Sequence, residues 1–303
     1  MKKIIIAGAT GFVGQFLVPA LLESQYQVSV IGRSSEKIHA MFADKVTAIS
    51  WDELRTQHLQ NQMAIINLAG ENIADHRWSK RVKQTIIDSR TIPTQRLVDL
   101  CLALGKDAPW LLNTSAVGYY GLSGDHLHQP QLVDEQWQQP RQIKDFLSQV
   151  AHAWEAPLHA ASDAHVPITI MRFGVVLHPK YGMLKKLLPS IKLGLGSILG
   201  RGNQMISWIH VEDLVRAIQF LLDQRIYGAI NLTSPFPTTQ AQLMQSLAHR
   251  YHRPCYIRLP SFAVKILFGE MGDTLLLGGQ NVKPSRLQEY DFCFRYPTIE
   301  DVP

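Results

Sequence analysis

The stretch IIIAGATGFVG, residues 4–14, constrains the fold of this chain more than any other. An apolar β-type run feeds directly into glycines at positions 8, 11 and 14, and an amphipathic helical pattern leaves them. That context separates a phosphate-binding turn from a chance glycine pattern. Gly8 permits the tight turn, Gly11 lets backbone approach a pyrophosphate, and Gly14 lets the helix pack close to the sheet. The free N–H groups at the start of that helix would face the anion. Thr10, Phe12 and Val13 lie within the same turn and are its remaining contact candidates.

A turn of this kind belongs to a parallel α/β sheet, and the rest of the chain agrees. KKIIIAG, QVSVIGR, KVTAISW, MAIINLAG, PWLLNTS and VPITIMRF are six strand candidates within the first 175 residues. Several of the segments between them have helical length and periodicity, so the pattern predicts a Rossmann-type doubly wound parallel sheet. FVGQFLVPALLES carries one apolar stripe, with Pro19 inside it predicting a kink. Ser79–Leu104 reads as a long helix with a bend or break at Pro93, and Asp145–Ser162 as a second long helix.

Beyond Phe173 the segment GVVLHPKYGMLKKLLPSIKLGLGSILGRGNQ holds six glycines and reads as a loop-rich lid over one short helix. WIHVEDLVRAIQFLLD follows as an amphipathic helix with Glu212 and Asp213 where carboxylates suit the helix dipole. AINLTS is a further strand. A helix near Gln240–Tyr251, a strand CYIRL and a helix SFAVKILFG then suggest a small C-terminal α/β lobe. The expected division is a nucleotide-binding domain over residues 1–235, with residues 175–204 as lid, and a substrate-side lobe over 236–303. The cleft between them is where a substrate is expected.

Composition excludes several classes. Of the 303 residues, 46% are hydrophobic and 18% charged, which fits a packed globular protein. No run approaches the roughly 20 apolar residues of a spanning helix, and no signal peptide opens the chain, so a cytoplasmic location without membrane contact is expected. The cysteines number three, widely spaced, and the histidines show no metal-ligand pattern, so no metal site is expected. A formal charge of +5 is modest, and the basic segment HRWSKRVKQTIIDSR reads as a solvated helix face, with nucleic acid not expected as a partner.

The end of the second strand bears on which dinucleotide would bind. A carboxylate there would accept the ribose hydroxyls of NAD(H) and repel a 2′-phosphate. Here the strand ends VIGRSSEK, so Gly32 takes the acidic place and Arg33 and Ser34 follow. A cation about 4 Å from a phosphate charge gains ~4 kcal/mol at an effective dielectric near 20. If desolvation cancels half, roughly 2 kcal/mol remains, more than tenfold in affinity. NADP(H) is therefore the expected cofactor, with NAD(H) the alternative.

Ordered segments give the chain a more specific likeness. GATGFVG, NLAGENI, RW with SR at 77–90, SAVGYYG, WE, RFGVVL, LGLGSILGRGNQ, WIHVED, RP, LGGQNVKPSRL and FCFRYP run in sequence across nearly the whole chain. Together they resemble the epimerase-like family of atypical short-chain dehydrogenase/reductases, described as nucleoside-diphosphate-sugar epimerases. The resemblance includes that family's C-terminal domain of unknown function. It implies that Asn67, Leu68, Ala69 and Gly70 lie along the dinucleotide, and that Thr85 and Arg90 contact it, Arg90 through a phosphate. Val175 and Val176 would approach the nicotinamide end. Relatives often dimerise through the two long helices, so a homodimer is expected here.

The wider superfamily moves its proton with a tyrosine and a lysine four residues later, after a Ser or Thr that polarises the substrate. Ser115 matches the serine. The tyrosine and lysine positions fall on Asp145 and Gln149, and the nearest lysine, Lys144, precedes the site. Members of the family commonly lack the pair. Three functions follow: an NADP-dependent oxidoreductase or epimerase acting on a carbonyl or sugar-nucleotide, a dinucleotide-binding sensor or partner-binding module without turnover, or, least favoured, a nucleic-acid-associated factor using its positive charge. For the first, Asp145 with a burial-raised pKa, or Tyr119 turned toward the cofactor, would serve as acid/base. Substrate contacts are expected from Glu71 on the nicotinamide side, and from Arg201, Gln204 and Trp208. A structural role is the alternative for each of these last three and for His210.

Overall fold

The computed structural model describes residues 2–122, 131–137, 143 and 145–302. Lys144 lies outside them. The first half alternates strand and helix: β1 (Lys3–Ala7), α1 (Gly14–Glu23), β2 (Gln27–Gly32), α2 (Ser35–Phe42), β3 (Thr47–Ser50), α3 (Thr56–Leu59) and β4 (Ala64–Asn67). Next come α4 (Lys80–Leu104), β5 (Trp110–Ala116), α5 (Phe146–Glu155), α6 (Leu158–Asp163) and β6 (Ile168–Phe173). The lid region holds β7 (Val175–His178), α7 (Gly182–Lys192), β8 (Ser197–Leu199) and β9 (Met205–Ile206). The chain continues through β10 (Trp208–His210), α8 (Val211–Gln224), β11 (Gly228–Leu232), β12 (Thr238–Thr239) and α9 (Gln240–Arg250). It finishes with β13 (Ile257–Leu259), α10 (Ser261–Met271) and α11 (Ser285–Glu289).

All six early strand candidates and AINLTS enter one seven-stranded sheet in the order β11-β6-β5-β4-β1-β2-β3. Every pairing in it is parallel. The strand order reverses at β1, and in open α/β sheets ligands bind beyond the strand C-termini at such a point. Both faces are covered, which is why the strands are apolar on both sides. Ile4 and Ile6 of β1 join a core with Leu17 and Leu21 of α1 and Leu214 and Ile218 of α8. The alternate residues Ile5 and Ala7 face Leu97 and Val98 of α4 and Leu158 of α6.

Two prolines lie inside continuous helices, and a third divides an expected one. α1 runs unbroken through Pro19, which is exposed, so the Gln15 carbonyl that loses its donor lies on the solvent side. α4 likewise runs 25 residues through Pro93, because buried Ile86 before it and Thr94, Leu97 and Val98 after it fix both halves against the protein. The expected helix from Asp145 to Ser162 instead divides into α5 and α6 at Pro157, whose missing N–H ends the first segment.

The lid region and the C-terminal segment share a core. β8 pairs with β13, and β9 pairs with β12. Leu184, Leu188 and Ile191 of α7 pack with Leu243, Met244 and Leu247 of α9, around fully buried Trp208. The tail is tied to the start of α8, where buried Asp213 accepts backbone N–H bonds from Arg295 at 2.9 Å and Tyr296 at 2.8 Å. Among the described residues, no helix is long and apolar enough to cross a membrane.

Candidate functional site

The glycine turn lies where β1 delivers it, and its backbone is open as the sequence requires. Gly8 has φ +76°, and a Cβ there would fall 2.7 Å from the Leu68 backbone, so the turns after β1 and β4 touch. A Cβ on Gly14 would lie 2.2 Å from the Ala9 carbonyl oxygen. Only glycine lets α1 start this close to the strand. At that start, the amides of Phe12 and Val13 have no acceptor among the described residues. This is a cradle of backbone donors at a helix N-terminus, and it fits a pyrophosphate.

Beside it, buried Asn67 shapes the turn after β4. Its amide donates to Asn113 at 2.6 Å and Thr94 at 3.0 Å, while its carbonyl accepts from the Ala69 N–H at 3.1 Å. Leu68, Ala69 and Gly70 therefore run past the glycine turn on a fixed path. Arg90 of α4 lies against Gly70, whose missing Cβ would stand 3.3 Å from the guanidinium carbon. The guanidinium donates to the carbonyls of Ile86 and Glu71, each at 2.9 Å, and stacks 4.9 Å from the Trp154 ring. Burial pushes its pKa down to about 10, with the nearby Glu71 charge acting the other way. A guanidinium held by carbonyls and an aromatic face, with no bonded carboxylate among the described residues, suits an anion. Thr85, on the same helix, is exposed and bonds back to the Arg81 carbonyl.

At the end of β2, Gly32 leads into exposed Arg33 and into Ser34, which caps α2 by accepting from the Lys37 N–H at 3.2 Å. Arg33 forms an ion pair with Glu71 at 3.6 Å. Glu71, expected beside the nicotinamide, thus sits past the end of β2, because its backbone is pinned by Ser89 and Arg90. The loop it begins also reaches the other half. Lys186 of α7 donates to the Ala74 carbonyl at 2.7 Å, and Arg77 caps the carbonyls of Ile266 and Leu267 in α10.

Across the ends of β5 and β6 lies a buried polar network. Arg172 donates from Nε and Nη2 to the two carboxylate oxygens of Glu155, both at 2.9 Å. Ser115 donates to Glu155 at 2.6 Å. Tyr120 accepts from Arg172 at 3.0 Å and donates to Asn231 at 2.9 Å. Burial pushes the Tyr120 hydroxyl up to about 12. Burial also works against the Arg172 charge, but its bonds to Glu155 prevail and hold its pKa above the ordinary value. Tyr119 lies flat on this assembly, its ring 3.5 Å from the Arg172 guanidinium carbon and stacked on His152. Its hydroxyl engages no partner among the described residues.

Several expected site residues are used structurally. Ser115 is 1% exposed and commits its proton to Glu155. Asp145 is half-exposed rather than buried, and its carboxylate caps α5 through the Ser148 N–H at 3.0 Å. Trp208 is 0% exposed with its indole N–H turned to the Phe236 carbonyl, so it cannot touch a ligand. Gln204 spends its amide on the carbonyls of Leu199 and Leu276, pinning lid to lobe. Arg201 is exposed. Val175 and Val176 lie on β7, half-buried, and the Val176 carbonyl is 3.4 Å from where a Gly182 Cβ would be. Glu155 and Arg172 were missed as a pair. Both stand in matching segments, WE and RFGVVL, but nothing in either segment announces the other.

Comparison with known proteins agrees with this geometry. The profile of the NAD dependent epimerase/dehydratase family matches residues 4–232, and that of a domain of unknown function, DUF1731, matches residues 259–302. An epimerase family protein of Mycobacterium bovis is 37% identical over 98% of this chain and 94% of its own length. The Arabidopsis thaliana protein named epimerase family protein SDR39U1 homolog, chloroplastic, is 36% identical over 98% and 84%. The crystal structure of human epimerase family protein SDR39U1 (isoform 2) with NADPH superposes with a TM-score of 0.86. It is 28% identical and covers 99% of this chain and 97% of that one. With a parallel sheet reversing at its glycine turn and a profile match over most of its length, the chain belongs to the NAD dependent epimerase/dehydratase family.

Proposed function

We propose that this chain binds NADP(H) across the ends of β1, β2 and β4 and acts as an oxidoreductase or epimerase on a carbonyl or sugar-nucleotide substrate. The observation that carries the reading is the open cradle at Gly8–Gly14 with two cations, Arg33 and Arg90, at its rim. Backbone amides of Phe12 and Val13 would take the pyrophosphate, Arg90 would add charge to it, and Arg33 would meet the 2′-phosphate. The NADPH of the human relative supports the same choice here.

The bound cofactor would supply the hydride. This chain's own residues would orient the substrate and handle its proton. Ser115 and Tyr120 have their hydroxyls engaged in the buried network, which leaves the adjacent Tyr119, whose hydroxyl is unengaged among the described residues. Its ring rests on the Arg172 guanidinium, a cation fixed in place by Glu155. Tyr119 is accordingly the acid/base group of this reading. Arg201, on the lid, would meet a substrate phosphate. Residues 1–235 would carry the cofactor and 236–303 the substrate side, with α4 and α5 as the face for a second copy.

A second reading has its own observation. The tyrosine and lysine positions hold Asp145, which caps α5, and Gln149, which is exposed, so no proton relay of the usual kind is built there. That favours a dinucleotide-binding sensor without turnover. One experiment separates the two: NADPH binding by calorimetry, followed by NADPH oxidation against a panel of carbonyls and sugar-nucleotides. Binding with turnover that Tyr119→Phe abolishes supports the enzyme. Binding without turnover on the whole panel supports the sensor, and no binding at millimolar NADPH or NADH overturns both.

A further inference from the structure

Sequence expects the choice between the two nicotinamide dinucleotides to be made at the end of β2, where Gly32 replaces the usual acid. The structure places a carboxylate there by another route. Glu71 enters from the turn after β4, with its N–H bound to Ser89 Oγ at 3.1 Å and its carbonyl accepting from Arg90 at 2.9 Å. With the backbone held at both ends, the side chain projects toward β2 and its carboxylate stands 3.6 Å from the Arg33 guanidinium. The Arg33 side chain is 86% exposed, and Glu71 is its one charged partner among the described residues.

Resting on the cofactor reading above, we propose that Glu71 sets the selectivity between phosphorylated and unphosphorylated dinucleotides by competing with the 2′-phosphate for Arg33. Two consequences follow from charge alone. An incoming 2′-phosphate must draw Arg33 off Glu71, and it does so beside a second negative charge, so each event weakens NADP(H). An adenosine ribose with free hydroxyls meets neither cost, because the Arg33–Glu71 pair stays intact and a carboxylate accepts ribose hydroxyls. The pair therefore narrows the preference that Arg33 alone would give, and a chain that reads as NADP(H)-selective retains measurable NAD(H) binding. The pair is solvent-exposed, so its competition weakens with salt.

Equilibrium titration of the full chain with NADPH and with NADH, followed by calorimetry, tests this on the wild type, Glu71→Gln, Arg33→Ala and the double variant. Glu71→Gln keeps the shape of the side chain and is checked for an unchanged melting temperature. The expected result is that Glu71→Gln tightens NADPH roughly two- to fivefold while NADH stays unchanged or weakens. The gain should shrink in the Arg33→Ala background, where there is no pair to break. An unchanged ratio of the two dissociation constants in Glu71→Gln would overturn the proposal. So would weaker NADPH binding, or an equal gain without Arg33. If neither nucleotide binds the wild type at millimolar concentration, the cofactor reading itself falls, and this inference with it.

Discussion

Arg172 grips Glu155 through two parallel hydrogen bonds of 2.9 Å, with both side chains buried beneath the ends of β5 and β6. Ser115 and Tyr120 extend the pair into a wider buried network. Burying two charges is tolerable only because each has several partners, Glu155 in Arg172 and Ser115, and Arg172 in Glu155 and Tyr120. Removing one partner strands the other. Glu155→Gln or Arg172→Met alone should cost about 3–5 kcal/mol in urea denaturation. Replacing both with apolar residues should recover much of that loss. A double variant that loses the sum of the two single losses would show that the pair is not coupled.

Gly14→Ala places a methyl 2.2 Å from the Ala9 carbonyl oxygen, against backbone that cannot move without displacing α1. Overpacking of this kind costs about 1–3 kcal/mol. Chemical denaturation should show that loss, and calorimetry should show weaker dinucleotide binding, since the start of α1 carries the cradle. Gly105→Ala serves as the contrast, since a Cβ there meets nothing within 4 Å, although its φ of +56° still carries some backbone strain.

Arg90 tests the cradle from its other side. Arg90→Lys retains a positive charge but loses the planar fork that reaches Ile86, Glu71 and Ser89 together. Charge-assisted hydrogen bonds are worth about 1.5–3 kcal/mol, so NADPH affinity should fall at least about tenfold by calorimetry. An unaltered affinity would place the phosphates elsewhere.

Two histidines make stability depend on pH. Burial lowers the pKa of His210, against the pull of Glu212 and Asp213, and burial followed by Lys180 lowers that of His178. His210 Nε2 is buried without a partner among the described residues, and Tyr296 packs 4.1 Å from the ring. The unfolded chain therefore binds protons more readily than the folded one. Their contribution is complete above the unfolded value near 6.5 and is lost as pH falls through the lower folded values. The melting temperature should drop between pH 7.5 and 5.5, and the drop should be smaller in His210→Gln. Burial raises the Glu135 pKa, which acts in the opposite sense at lower pH.

Much of the scaffold was legible because its signals are local. Short apolar β-type runs and a helical stripe are written in adjacent residues, so all seven strands of the main sheet could be read from them. Gly8, Gly11 and Gly14 announced the cradle for the same reason, since each is demanded by backbone within its own turn. The prolines were harder. Pro19 and Pro93 carry the same local cost as Pro157, yet only Pro157 ends a helix. Packing on either side of a proline decides whether its lost hydrogen bond is tolerated, and packing is not local.

The side chains of the site divide along the same line. Asp145 and Trp208 read as reactive or ligand-facing from their neighbours in sequence, but one caps α5 and the other is sealed within the lobe core. Glu155 and Arg172 come from α5 and β6, and Arg33 and Glu71 from the ends of β2 and β4. The chain's order determined the sheet and the glycine turn, because those depend on backbone freedom and short-range periodicity. Only the tertiary structure decided which carboxylate meets which guanidinium, because a charge takes its partner from whatever the fold brings within a few ångströms of it.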